Sequence, residues 1–217
     1  MADQTVAADN FNRANSATLG TMSDGVNAWI EDESGGGVLQ ILSNQLDMSA
    51  GGTAAQTAFA VVAGRSDSDY YVQLDVVSMS WCSAYKTQQF FIYARGDFGF
   101  AHYYSAGVSR EATGGVNPNV YLQFQITRSG TVLASKTTAK SAPSTWKFDL
   151  NGSSLSFYDG ADLELSATDA TYASGGTRLG EYADGWQGAD NVLDNFALVD
   201  HLAGHVPYFG VLRRRTA

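Results

Sequence analysis

The chain has 217 residues, 22 acidic and 13 basic, for a net charge of −9, with 12% aromatic residues, 23 glycines, three prolines and one cysteine. That length suits one large domain whose core needs no disulfide, and Cys82 alone can form none within the chain. No apolar run is long enough to span a membrane, and the acidic balance repels phosphate backbones, which argues against nucleic acid as a partner.

Met1–Asn10 lacks a basic stretch followed by an apolar one, so it does not read as a secretory signal, which implies synthesis in a cytoplasm. Thereafter period-two alternation recurs and helical periodicity is almost absent. Strands are expected at 38–42, 45–48, 57–62, 70–77, 89–95, 100–104, 120–127, 131–136, 145–150, 154–158, 162–166, 177–182 and 192–199. The clearest alternation runs from Val120 to Thr127, with Val120, Leu122, Phe124 and Ile126 facing a core and the glutamines and threonine facing out. Ser129-Gly130, Asn151-Gly152 and Asp159-Gly160 mark tight hairpins. Short strands with a turn every 8–12 residues predict an all-β fold of two packed antiparallel sheets. Glu31-Asp32-Glu33 reads as a solvated turn before a glycine run.

The order Asp9-Asn10-Phe11-Asn12-Arg13, Leu19-Gly20, Trp29, then Trp146-Lys147-Phe148, Leu155–Gly160 and finally Asp194-Asn195-Phe196-Ala197-Leu198 resembles concanavalin A-like and laminin-G-like jelly-roll modules. The resemblance covers residues 9–200. It implies a two-sheet jelly roll over residues 1–200, with 201–217 as an appended tail. It does not specify a function, since this fold hosts lectins, glycosidases, adhesive modules and virion decorations.

Retaining glucanases of this superfold carry Glu-x-Asp-x-x-Glu on one strand, placing nucleophile and acid close together. That pattern is missing here. Asp162-x-Glu164 approaches it but lies beside a hairpin turn, where charge keeps a sheet edge soluble. His102 is the only histidine before His201, which leaves little for a Ser-His-Asp site or a zinc site. Calcium is a better fit, because relatives of this fold tie first and last strands with one ion, and Asp9 and Asp194 stand near those strands as candidate ligands. Glycan binding by such modules uses aromatic platforms and planar polar groups. The candidates are Trp81, Tyr85, Arg95, Asp97, Tyr103, Tyr104 and Trp186, while Trp29 and Trp146 sit in core-like contexts.

Residues 1–200 hold all 22 acids, whereas the tail holds none and carries Arg213, Arg214 and Arg215. With Val206, Tyr208, Phe209 and Leu212 it reads as a docking arm for another protein subunit, or one that folds back on its own body. The leading expectation is a non-catalytic structural protein on the surface of a phage virion, made without a signal peptide and able to bind cell-surface glycan. The alternatives are a lectin-like carbohydrate-binding module acting alone and a glycoside hydrolase or lyase with an atypical site. Cytoplasmic residence is the alternative to the virion.

Overall fold

The computed structural model describes residues 3–34, 37–50, 55–62, 68–80, 88–97, 99, 101–113, 119–138, 143–184 and 189–201. Among them no helix occurs. Fifteen strands follow in order: β1 (Gln4–Asp9), β2 (Trp29–Ser34), β3 (Gly37–Leu42), β4 (Gln45–Ala50), β5 (Ala55–Val62), β6 (Tyr70–Met79), β7 (Gln88–Gly96) and β8 (Tyr104–Thr113). Then come β9 (Asn119–Arg128), β10 (Thr131–Thr138), β11 (Ser144–Asn151), β12 (Ser154–Asp159), β13 (Asp162–Thr168), β14 (Gly176–Asp184) and β15 (Ala189–Asp200).

They form two antiparallel sheets. One runs β13-β12-β11-β6-β15-β4-β3 with β1 also on β15, and the other runs β10-β9-β8-β7-β14-β5-β2. This is the expected two-sheet jelly roll of the concanavalin A-like kind. Two-residue reversals close four of its hairpins. Ser43-Asn44 and Ser129-Gly130 have positive φ at both positions, the primed turn geometry that matches strand twist.

Alternation places one face of each sheet in the shared core. Val72, Leu74 and Val76 of β6 share one buried cluster with Phe90 and Ile92 of β7. Trp146 lies 5.7 Å from Phe90, 5.8 Å from Phe124 and 5.5 Å from Phe157, ring to ring. Trp29 packs on Phe11 and Phe196, so both tryptophans expected in the core are there. Phe124 and Ile126 are buried as expected and Leu122 packs against the core, while the side chain of Val120 lies outside the described residues.

Three expectations need correction. Glu31–Glu33 is strand β2 rather than a turn, because its backbone pairs with β5 (Glu31 opposite Ala60, Glu33 opposite Ala58), and the side chains of Glu31 and Glu33 accept from the Leu19 and Leu39 amides at 2.7 and 2.5 Å. The strand expected at 100–104 begins only at Tyr104 and continues to Thr113. Gln125 and Thr127 do face away from the core, yet both are buried, with Thr127 Oγ1 2.7 Å from Ser105 Oγ.

The N-terminal strand closes the sheet on β15, with Asp9 opposite Phe196. Asp9 is buried, and its carboxylate accepts from the Phe11 amide, Trp29 Nε1 at 2.7 Å and both Arg13 terminal nitrogens at 2.7 and 3.0 Å. A longer bond comes from the Ser23 amide. The Asp-x-x-x-Arg spacing that carried the family resemblance is thus a buried structural hub.

Candidate functional site

The outer face of the seven-stranded sheet is built from the residues that alternate with its core. On β7 the core takes Phe90 and Ile92, which turns Phe91 and Tyr93 outward. Phe59 and Val61 of β5 and Tyr103 before β8 join them as a second apolar cluster, separate from the core. The rings of Phe59 and Tyr93 are 5.8 Å apart, and those of Tyr93 and Tyr103 are 5.0 Å apart, all edge to face.

Two glycines let these rings lie against the sheet. A Cβ at Gly180 would stand 2.4 Å from Phe59 and 2.7 Å from Tyr93, and one at Gly107 would stand 2.9 Å from Phe91. The guanidinium of Arg178 is seated on this bed, its carbon 3.9 Å from the Phe59 centroid, 4.5 Å from Tyr93 and 5.8 Å from Tyr103. Burial pulls Arg178 below the ordinary guanidinium value, opposed by the tyrosines and by the carboxylates of Asp32 and Asp97. Burial likewise pushes the Tyr93 phenol well above its ordinary value, so the ring stays neutral beside the cation.

Beside the aromatic half lies a polar half on β7, β8 and β9. Gln89 Nε2 donates to Ser109 Oγ at 3.4 Å, Gln125 Nε2 donates to Gln123 Oε1 at 3.2 Å, and Ser105 pairs with Thr127. Ser105, Ser109, Gln125 and Thr127 are themselves buried, so the polar groups offered outward are the half-buried Gln89 and Gln123, beside the half-buried Phe59 and Tyr103 rings. Rings and amides together can hold a sugar by stacking and hydrogen bonds.

Of the seven glycan candidates, Tyr103 belongs to this face. Asp97 stands at its rim, exposed, accepting from the Ala101 amide and paired with His102 Nδ1 at 2.9 Å. The hydrogen bond with His102 holds its carboxyl below the ordinary value. Arg95 and Tyr104 do not belong to the face. Arg95 is buried, and its fork spans the two sheets, donating to the carbonyls of Ser68 at 2.7 Å and Gly152 at 2.8 Å and to Asp69 at 3.2 Å. Tyr104 is a core residue whose hydroxyl donates to Asp169 at 2.6 Å. Trp81, Tyr85 and Trp186 lie outside the described residues, as do Val206, Tyr208, Phe209, Leu212 and Arg213–Arg215 of the tail.

The first and last strands pair as expected, and the two acids named as metal ligands, Asp9 and Asp194, have different partners. Asp9 points into the core, its oxygens filled by nitrogen donors, while Asp194 stands opposite Asp75 in the register, where Asn195 bridges the two strands. Among the described residues no group of three or more acidic, histidine or cysteine side chains is gathered for a metal. Glu164 is buried and bound to Lys136 at 2.6 Å, tying β13 to β10 across the sandwich edge.

Phe59, Phe91 and Tyr93 escaped the sequence reading because apolar residues in strands read as core, and Arg178 because a charge beside the core residue Leu179 reads as solvated. The available signal was Phe90-Phe91-Ile92-Tyr93, four large apolar residues in succession, which makes both faces of one strand apolar.

No protein-family model and no curated protein matches the chain by sequence. Solved structures do match. A non-specific endo-β-1,3(4)-glucanase of glycoside hydrolase family 16 superimposes with a TM-score of 0.62 at 8% identity, over 91% of each chain. The κ-carrageenase of Pseudoalteromonas carrageenovora gives 0.55 at 10% identity, over 91% of this chain and 96% of that one. A family 66 carbohydrate-binding module from Bacillus subtilis gives 0.55 at 17% identity, over 77% of this chain and 94% of that one. At these identities the likeness shows the fold. All three neighbours are named for binding or cleaving a carbohydrate, and this overturns the expectations of a virion structural role and of a protein that is not an enzyme.

Proposed function

We propose that this chain is a glycan-active protein that holds a polysaccharide strand across the outer face of its seven-stranded sheet. The observation that carries the reading is the Arg178 guanidinium set on the Phe59, Tyr93 and Tyr103 rings beside rows of amides and hydroxyls. The likeness to carbohydrate-named sandwiches supports it. Affinity electrophoresis against β-1,3-glucan, mixed-linkage β-glucan and κ-carrageenan tests it. At least one polysaccharide should retard the protein, and Tyr103→Ala should relieve that retardation without unfolding the chain.

Hydrolysis is the second reading, favoured by two carboxylates near the aromatic bed. Asp32 and Asp97 both act on the charge of Arg178, and Asp97, held ionised by His102, has the state a base or nucleophile needs. Release of reducing ends that is lost in both Asp32→Asn and Asp97→Asn would support it. Release that persists in both would rule out that pair.

A structural calcium remains part of the proposal only at a place other than Asp9, whose oxygens already accept from five donor groups. A melting temperature that falls on chelation would show that such an ion is bound, and one that does not fall would remove calcium from the proposal.

A further inference from the structure

We propose that the turn between β9 and β10 and the segment before β14 form a rim subsite for one further sugar unit of the chain laid on the aromatic bed. The rings of Tyr172 and His102 are its walls, and Arg128, Ser129 and Thr171 are its hydrogen-bonding groups. The inference rests on the glycan reading of the neighbouring face. The two places are joined through Tyr103. Its ring lies 5.0 Å from that of Tyr93, its amide donates to Ser129 Oγ at 3.2 Å, and its carbonyl accepts from the Ser129 amide at 2.9 Å. The same Ser129 hydroxyl stands 3.1 Å from the hydroxyl of Tyr172. The row of rings from Phe59 through Tyr93 thus continues past Tyr103 to the turn that ends β9.

Buried anchors hold the rim in place. The Asp169 carboxylate accepts from the Tyr104 hydroxyl at 2.6 Å, from Arg128 Nη1 at 2.6 Å and from the Thr171 amide at 2.8 Å. Burial alone would raise this carboxyl, but the bonds from Thr171 and Tyr104 and the charge of Arg128 outweigh it and lower it to about 2. Tyr104, itself in the core, accepts from the Tyr172 amide at 3.0 Å, with the two rings 5.2 Å apart. Thr171 and Tyr172 are therefore fixed to the sandwich by Asp169 and Tyr104, the preorganisation that a binding residue on a connection needs.

What the rim turns outward matches a sugar. His102 is 65% exposed, with its ring 5.8 Å from that of Tyr172. Asp97 engages its Nδ1 at 2.9 Å, and among the described residues nothing engages its Nε2. Arg128, half-buried, commits Nη1 to Asp169 and Thr171, and among the described residues its Nε and Nη2 have no partner. Ser129 and Thr171 are exposed. Donors and acceptors beside two rings are what a pyranose, apolar on its faces and edged with hydroxyls, requires. On the bed itself Ser105, Ser109 and Thr127 are buried, so the rim adds the polar contacts that the bed is short of, and with them discrimination between one glycan and another.

The test is amide chemical-shift mapping on the full chain, with oligosaccharides of β-1,3-glucan, mixed-linkage β-glucan and κ-carrageenan as probes. With at least one of them, His102, Ser129 and Thr171 should shift together with Tyr103 and Gly180. His102→Ala, at an exposed position, should weaken binding of that probe about threefold, and Tyr172→Ala about tenfold, with the unliganded amides of Phe124 and Phe157 unmoved. Should Tyr172→Ala fail to fold, His102→Ala alone decides. Shifts at Tyr103 and Gly180 with a still rim, or full affinity in the variants, would overturn the rim subsite and leave the glycan reading standing. Shifts confined to the rim would keep the subsite and sink the reading of the sheet face. No shift with any of the three probes would overturn both.

Discussion

The guanidinium carbon of Arg178 sits 3.9 Å from the ring centroid of Phe59, on the sheet face turned away from the core. A cation on an aromatic bed is ordinary in a core edge or an ion-pair network. Here it lies on β14, in a face whose other half is amides and hydroxyls, where the proposed glycan would meet it. Cation–π contacts contribute about 0.5–2 kcal/mol each. Arg178→Ala should therefore cost about 1–3 kcal/mol of folding stability and, with the fold intact, weaken glycan binding about tenfold, read by urea unfolding and titration calorimetry. Undiminished affinity would remove Arg178 from the site.

Gly107 and Gly180 separate structural from functional demand. A Cβ at Gly107 would stand 2.1 Å from the Phe90 carbonyl oxygen, a backbone atom that cannot swing aside. Gly107→Ala should cost about 3 kcal/mol of stability. At Gly180 the obstacles are the Phe59 and Tyr93 rings, which can turn. Gly180→Ala should cost about 1 kcal/mol, yet tilt the rings away from Arg178 and lower glycan affinity. The reverse order of the two stability losses would contradict this geometry.

Asp9 is the hub of the N-terminal segment, and among the described residues no other carboxylate bonds Arg13 or the Trp29 indole. Asp9→Ala leaves Arg13 and the Trp29 indole without it, and should destabilise by about 3–5 kcal/mol. Trp29→Phe removes one donor from the buried carboxylate and should cost about 1–3 kcal/mol. Denaturant midpoints check both, and a chelator should add nothing to either loss.

His201 gives stability a pH dependence. Burial lowers its pKa, but the hydrogen bond and charge of Asp149, with those of Asp3, outweigh burial and raise it above the ordinary histidine value. The groups facing it are Asp149 at 2.8 Å, Asp3 at 3.5 Å and the Tyr71 ring, with Lys147 bound to Asp149 from the other side. A raised folded pKa means the contribution is complete below pH ~6.5 and is lost as pH rises through the folded value. Unfolding midpoints should fall across that window in the native chain and stay flat in His201→Gln.

Much of the fold was legible because it depends on local rules. Period-two alternation located β3 to β7 and β9 to β15, and Asn151-Gly152 and Asp159-Gly160 fixed two hairpins. Strand β8 was less visible. Its Ser105-Ala106-Gly107-Val108-Ser109 is small because Phe91 packs on Gly107, and a run of small residues resembles a loop. The site was legible only at Tyr103 and Asp97. A charge such as Arg95 reads as exposed, yet it is buried with four acceptors on three separate connections, Ser68, Asp69, Gly152 and Tyr172, and no local pattern announces them. Phe59, Phe91 and Tyr93 read as core for the converse reason, since alternation does not say which of two apolar faces meets the other sheet.

The central claim is that the outer face of the seven-stranded sheet binds glycan. Amide chemical-shift mapping during titration with β-1,3-glucan, mixed-linkage β-glucan and κ-carrageenan oligosaccharides tests it most directly. The account predicts that at least one of them moves the resonances of Tyr103, Gly107, Ser109 and Gly180 together, with the Arg178 side chain. Shifts confined to Gln73, Lys147 and Tyr158 on the opposite sheet, or no shifts with any of the three, would contradict it.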